Sequence, residues 1–324
     1  MYSIEELQKI VKEAISEVRF PDEPRKLYEP ISYTLNLGGK RLRPVLCLMA
    51  TDAFGGNIQA AIPASMGIEI FHNFTLIHDD IMDNAPIRRG KATVYLKWDS
   101  NVAILSGDTM FAVAYRYVTK TNPMVLPQVL EVFNQTAIEV CEGQQYDMDY
   151  ETMDNVSIAD YMKMIRLKTA VLLGGSLKAG AVIANAPEQD THLLYDFGIN
   201  IGLAFQLKDD YLDCFGDEGQ FGKKTGGDIM VNKKTWMYIK ALELAQGDEL
   251  EKLKHYFGST DFEPQEKVPA VLEIYKKLKV DILAESEMEA YYNKGIHLLD
   301  QINLPEDRKT ELRKFAVKMI QRDN

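Results

Sequence analysis

The sequence is poor in the features that mark most specialised classes of protein. It has three cysteines, Cys47, Cys141 and Cys214, widely spaced and odd in number. That excludes a disulfide scaffold and any cysteine-based metal site, and leaves reduced core residues of a cytosolic protein. Long apolar runs are missing too: Lys178 breaks "VLLGGSLKAGAVIA" and Asp108 breaks "VAILSGDTMFAVAY", short of the ~18 residues a membrane-spanning helix needs. No secretory leader is expected, because "MYSIEELQKIVKEAISEV" carries charge throughout and reads as an amphipathic helix. Positive charge is in deficit, 37 Lys and Arg against 48 Asp and Glu, which argues against nucleic acid as a partner. Low-complexity tracts, flexible linkers and alternating strand-like patterns are also scarce, so nothing marks a boundary between separate domains.

What is present is helical periodicity. Proline and glycine cut the chain near 21–30, 38–39, 55–56, 86–90, 123, 187, 216–227, 264–269 and 305, and roughly ten helices are expected between these cuts. The segments 59–82, 157–184 and 188–215 are long and apolar on most faces, the pattern of helices buried inside a bundle. The reading is one all-α domain spanning 1–324. The stretch "GDEGQFGKKTGGDIMVNKK", 216–234, has five glycines and four lysines and is expected to be a mobile basic loop.

Carboxylates stand where this core should be. "LIHDDIMDNAPIRRG" places Asp79, Asp80 and Asp83 in an apolar segment, and "DDYLD" repeats the spacing at Asp209, Asp210 and Asp213. Residues i and i+4 share a helix face, so each cluster stacks two carboxylates one above the other. One such cluster is usually a solvated acidic face. Two in apolar surroundings are costly unless they meet cations, and oxygen-only ligands suit Mg²⁺ completed by substrate phosphates.

Cations suited to a diphosphate recur near these clusters: Lys40, Arg41 and Arg43 in "GGKRLRP", Arg88 and Arg89 in "RRG", Lys168 with Thr169 in "RLKT", and Lys223, Lys224, Lys233 and Lys234 in the basic loop. Arg forks and Lys point charges are the usual phosphate partners. His72 lies seven residues before Asp79, close to the same face, and is a candidate phosphate donor, whereas His78 points off that face and reads as structural. Gln206 and Asp210 share a face, and Gln144 and Asp147 are polar groups on an otherwise apolar helix.

The ordered series "GGKRLRP", "LIHDDIMD…RRG", "GQQYD", "LKT", "FQLKDDYLD", "GKKTGGD", "NKKT" resembles the polyprenyl synthetase family of trans-isoprenyl diphosphate synthases over essentially the whole chain. The resemblance implies mostly antiparallel helices around a deep central cavity, a homodimer, and about three Mg²⁺ per active site, oxygen-ligated. It implies Asp79, Asp83 and Asp209 as main Mg²⁺ ligands, with Asp80, Asp210 and Asp213 as ligands or close supports. Arg88, Lys168, Thr169, Gln206, Lys223 and Lys233 match contacts to an allylic diphosphate (dimethylallyl, geranyl or farnesyl). Lys40, Arg43, His72 and Arg89 match the isopentenyl diphosphate site. The implied reaction is ionisation of the allylic substrate, attack by the isopentenyl double bond and loss of a proton to diphosphate. The tail "IQRDN" is less basic than in many relatives, and no contact is assigned there.

The resemblance also marks the fifth position before the first aspartate as a usual pocket floor. Phe74 occupies it, about 7.5 Å along the axis, with Phe71 about 12 Å along and the smaller Thr75 directly below Asp79. A fifteen- or twenty-carbon product is expected, with twenty favoured. A terpene cyclase would replace "DDYLD" and need no isopentenyl site. A non-catalytic regulatory subunit would lose a cluster, and a ferritin-like di-metal bundle needs two Glu-x-x-His pairs, where only Glu69 with His72 fits.

Overall fold

The computed structural model describes residues 1–216, 225–259 and 261–321. Its elements, in order, are α1 (Ile4–Ser16), α2 (Arg25–Leu35), α3 (Leu42–Ala53), α4 (Ile58–Met82), β1 (Ile87–Arg88), β2 (Lys91–Ala92), α5 (Val94–Lys97), α6 (Ser100–Val118), α7 (Leu126–Thr152) and α8 (Ile158–Ile165). A π-helical segment, Arg166–Ala170, then leads into α9 (Val171–Ile183), α10 (Glu188–Phe215), α11 (Gly227–Met230), α12 (Trp236–Leu244), α13 (Gly247–Phe257), α14 (Pro264–Lys277), α15 (Val280–Gln301) and α16 (Glu306–Ile320). The protein is all-α apart from the β1–β2 hairpin among the described residues, and none of its described helices is long and apolar enough to cross a membrane.

Local chemistry explains the helix starts. Ser3 with Glu6 and Ser157 with Asp160 form capping boxes, and the side chains of Asn57 and Asp99 accept from backbone N–H groups of the first turns of α4 and α6. The long segments expected at 59–82 and 188–215 are α4 and α10. The one expected at 157–184 is interrupted by the π segment. The described chain is cut more finely than roughly ten helices, chiefly after Gly216.

Two compact units emerge, one of 1–135, 175–194 and 303–312, the other of 136–174, 195–302 and 313–324. In the first, α4 is buried continuously from Ala64 to Phe71 and packs chiefly on α6 and α3. A Cβ on Gly67 would sit 2.5 Å from Val118 Cγ2, so glycine there lets α4 and α6 approach closely. In the second, Gly202 of α10 lies against Ala170 and Gly295 of α15 against Ile201 in the same way.

Candidate active site

In the first unit, α4 ends in the first aspartate segment. Asp79 is half-buried, Asp83 exposed, and Asp80 only 4 % exposed. One Asp80 oxygen accepts from Arg88 Nε at 2.9 Å and Nη2 at 2.6 Å. Burial pushes the Asp80 carboxyl up, and the Arg88 hydrogen bond and charge oppose that shift. Arg88 is delivered by the hairpin: Arg88 pairs with Lys91, and the two turn residues, Arg89 and Gly90, both have positive φ, 52° and 73°, as a type I′ turn requires.

The same turn throws Arg89 onto the glycine pair before α3. Its guanidinium donates to Gly38 O, and a Cβ on Gly39 would lie 2.7 Å from Arg89 Cζ. Arg41, with φ 49° at the start of α3, turns inward instead, donating to Glu69 Oε1 at 2.5 Å and to Leu35 O. Asn73 Nδ2 donates to the same Glu69 oxygen at 2.8 Å. Arg43 lies 3.0 Å from His72 Nε2. A guanidinium only donates, so Nε2 accepts and the imidazole proton sits on Nδ1. Burial, then Arg43 and the other arginines, hold the His72 pKa well below its ordinary value, and burial lowers Arg43 to about 10.

Arg41 and Arg88 are therefore matched by the buried carboxylates of Glu69 and Asp80. Arg43 and Arg89 form no ion pair with a described carboxylate, and Arg43 Nε is buried without a hydrogen-bond partner. The corner has surplus positive charge and an unused donor, which suits an anion. Lys40 is exposed beside it. His78 lies over Gly107, where a Cβ would sit 2.3 Å from its Nε2, and its Nε2 is 3.2 Å from Ile104 O, the structural place expected for it. Glu69 and His72 are each committed to an arginine, which disposes of the Glu-x-x-His metal pair.

Along α4 below Asp79, the rings form one cluster. Phe74 stacks on Phe111 at 5.3 Å, and Phe71 meets Phe74, Phe111 and Phe133 at 5.5–5.6 Å. Tyr115 closes against Phe111 and Phe133. Phe71 is core, 1 % exposed, whereas Phe74 and Thr75 are half-buried, and the Thr75 hydroxyl donates to His72 O at 2.8 Å.

In the second unit, α10 carries the other aspartate segment. Asp209 is exposed, Asp213 half-buried and Asp210 4 % exposed. Asp210 accepts from the Tyr161 hydroxyl and, at 3.1 Å, from Gln206 Nε2, whose carbonyl accepts from Thr169 Oγ1 at 3.1 Å. Asp213 accepts from the backbone N–H of Asp228 at 3.0 Å. Burial raises the pKa of both Asp210 and Asp228, repulsion from Asp228 adds to the rise at Asp210, and Lys233 opposes both. Asp213, Asp209 and Asp147 supply the repulsion on Asp228. Negative charge is crowded here against neutral partners, a donor set that fits a divalent cation. Among the described residues no three carboxylate, imidazole or thiol groups form a complete ligand set, so such an ion needs water or ligand oxygens as well.

The π segment supplies the cation of this corner. Lys168 Nζ donates to Asp147 Oδ2 at 2.5 Å, and a Cβ on Gly143 would lie 2.2 Å from Lys168 N. Gly143 and Asp147 are i and i+4 on α7, so one face both admits the widened turn and receives its lysine. Lys233 is exposed. Lys234 donates to Tyr150 O at 2.9 Å, Glu151 O at 3.3 Å and Met153 O, capping the end of α7. Lys223 and Lys224, with the rest of 217–224 in the expected mobile loop, lie outside the described residues. Tyr161, Asp228, Phe111 and Phe133 were not singled out from the sequence. Asp228 alone left a signal, as the acid ending "GKKTGGD".

Comparison with known proteins settles the class. The polyprenyl synthetase family model matches residues 24–275. The chain belongs to the polyprenyl synthetase family. It is 36 % identical to geranylgeranyl diphosphate synthase of Methanosarcina mazei over 316 residues, 97 % of this chain and 95 % of that one. A crystal structure of geranylgeranyl pyrophosphate synthase superposes with TM-score 0.95 at 42 % identity, covering 100 % of both chains. The geranylgeranyl pyrophosphate synthase of Corynebacterium glutamicum, solved with isoprenyl diphosphate and magnesium, gives TM-score 0.89 at 25 % identity, covering 99 % of this chain and all of that one.

Proposed function

We propose that this family member catalyses head-to-tail condensation of isopentenyl diphosphate with an allylic diphosphate, releasing diphosphate and a short all-trans prenyl diphosphate. The observation that carries the reading is shared by both aspartate segments. In each, the second aspartate is buried and fixed by protein side chains, while the i and i+4 carboxylates lie toward the helix surface. Asp79, Asp83, Asp209 and Asp213 are the candidate Mg²⁺ ligands, and Asp80 and Asp210 orient them from behind. When bound, the metal supplies countercharge to the leaving diphosphate.

Lys168, Thr169, Gln206 and Lys233, with Arg88 and Lys223 added only by the family pattern, bind the allylic diphosphate and stabilise it as the allylic C–O bond breaks with the electron pair on oxygen. Arg43, Arg89, Lys40 and the Nδ1–H of neutral His72 hold the isopentenyl diphosphate. Its double bond attacks the allylic cation, and the proton lost goes to the released diphosphate. Apolar walls keep out water that would quench the cation. The family resemblance favours one catalytic domain, a homodimer and a cytoplasmic location, and the intact acidic segments and arginine corner disfavour a cyclase or regulatory subunit.

Purified protein with Mg²⁺, isopentenyl diphosphate and dimethylallyl, geranyl or farnesyl diphosphate in turn tests the reading. A twenty-carbon product is expected, and no elongation with any primer would sink it. The ring cluster below Asp79 sets the length in this reading. Phe74→Ala opens an apolar void that added chain can fill, so longer products are expected by chromatography, longer still with Phe71→Ala added, and shorter ones from Thr75→Phe. An unchanged distribution in active Phe74→Ala moves the length-setting wall elsewhere.

A further inference from the structure

The sequence reads Asn232–Lys234 as part of a basic loop, but the structure makes it a turn gripped from two sides. Asn232 has φ 58°, a left-handed conformation that Asn tolerates better than most residues. The N–H groups of Asn232 and Lys233 donate to Ile229 O at 3.2 Å and Asp228 O at 2.9 Å. The Asn232 amide donates to Ser259 O at 3.0 Å, and its side-chain oxygen accepts from Lys267 Nζ.

Lys267, on α14, is 0 % exposed. Its ammonium donates to Asn232 and, at 3.3 Å, to Ser259 O, and lies 5.3 Å and 5.9 Å from the ring centres of Phe257 and Phe262. No described carboxylate pairs with it. Burying a charge against an amide, a carbonyl and ring faces carries a desolvation penalty that a methionine of similar volume would avoid. Its value lies in what it grips. On the other flank, Lys234 spends its ammonium on three carbonyls at the end of α7. Between these anchors stands Lys233, whose charge acts on Asp210 and Asp228.

We propose that Lys267 and Lys234 are positioning residues for Lys233, clamping the turn so that the Lys233 ammonium is held where the allylic diphosphate binds. This rests on the reading of Lys233 as a diphosphate contact. Lysine has a long flexible stem, so fixing its Cα from both sides limits the space its charge explores.

Steady-state kinetics on the full chain with Mg²⁺, geranyl diphosphate and isopentenyl diphosphate test the clamp. Lys267→Met and Lys234→Met should each raise KM for geranyl diphosphate about tenfold, the scale of one hydrogen bond to a charged group, with KM for isopentenyl diphosphate changed less than about twofold. In a Lys233→Ala background, adding Lys267→Met should cost nothing further, because coupled residues are not additive. Equal effects on both KM values, or an undiminished effect in that background, overturn the proposal. If Lys267→Met does not fold by circular dichroism, Asn232→Gly serves, keeping the left-handed backbone while dropping the gripped side chain, with the same expected signature. If Lys233→Ala leaves KM for geranyl diphosphate unchanged, the assignment of Lys233 falls and the clamp with it. If Lys233→Ala raises that KM but neither methionine variant does, the clamp alone falls.

Discussion

The two aspartate segments share the same spacing and differ in company. Asp80 and Asp210 are buried to the same extent, 4 % exposed, yet Asp80 faces a guanidinium and Asp210 a phenol and a carboxamide. Beyond Arg88 stand Arg41, Arg43 and Arg89, and after burial the four arginine charges depress His72, as those of Arg41 and Arg88 depress Arg89. On Asp210 acts Asp228, itself repelled by Asp213, Asp209 and Asp147, with Lys233 in opposition at both. The first corner brings its own countercharge and is ready for an anion. The second accumulates negative charge that an external cation relieves most. One letter pattern thus encodes two electrostatic tasks.

The sharpest test removes one outer carboxylate from each. Asp79→Ala and Asp209→Ala should both cut turnover by at least ~100-fold, since each deletes a group that acts through the metal on developing charge, with helical circular dichroism unchanged. They should part company when Mn²⁺ is titrated without substrate. Asp209→Ala should lose most of that binding, and Asp79→Ala should keep it. Equal losses would erase the difference. A smaller effect separates the anion partners. Arg43→Ala should raise KM for isopentenyl diphosphate about tenfold and Lys168→Ala should do so for the allylic substrate, each the scale of a charge-assisted hydrogen bond. Identical profiles would show that the corners do not divide the substrates.

The helices and acidic clusters were legible because each rests on local periodicity: α4 and α10 carry their apolar faces and their i, i+4 carboxylates in the letters themselves. Which charge does which task was not. "KRLR" does not reveal that a left-handed Arg41 turns in to Glu69 while Arg43 reaches His72, because that depends on one backbone angle. "NKK" does not say that Lys234 is spent on capping α7 while Lys233 stays exposed. The π segment left no periodic trace, and Gly143, which admits it, lies over twenty residues upstream on another helix. The ring cluster beneath Asp79 draws Phe111 and Phe133 from two further helices, so the α4 letters name only Phe71 and Phe74.

The smallest expected effect is the most specific to the contrast, because it concerns stability without substrate. Asp80→Asn keeps an oxygen for Arg88 but removes the charge that balances it. Arg88 is partly exposed, so water screens the loss and the cost should be near 1 kcal/mol. That lowers Tm by about 2 °C in a chain of this size. Asp210→Asn removes a charge from a crowded set instead. Its retained oxygen still accepts from Tyr161, and its new N–H₂ is satisfied if the Gln206 amide flips to present its oxygen. The Thr169 hydroxyl then rotates to accept from the Gln206 N–H₂, so both amides keep partners. Repulsion with Asp228 falls at the same time. Thermal melts in chelator should therefore show Asp80→Asn below the parent and Asp210→Asn level with it or above. Added Mg²⁺ should stabilise Asp80→Asn much as it does the parent and Asp210→Asn less, since ligand-linked stability follows affinity for the folded state. If both variants fall together in chelator, the neutral partners of Asp210 are no less dependent on its charge than Arg88 is on that of Asp80, and the two corners are electrostatically alike.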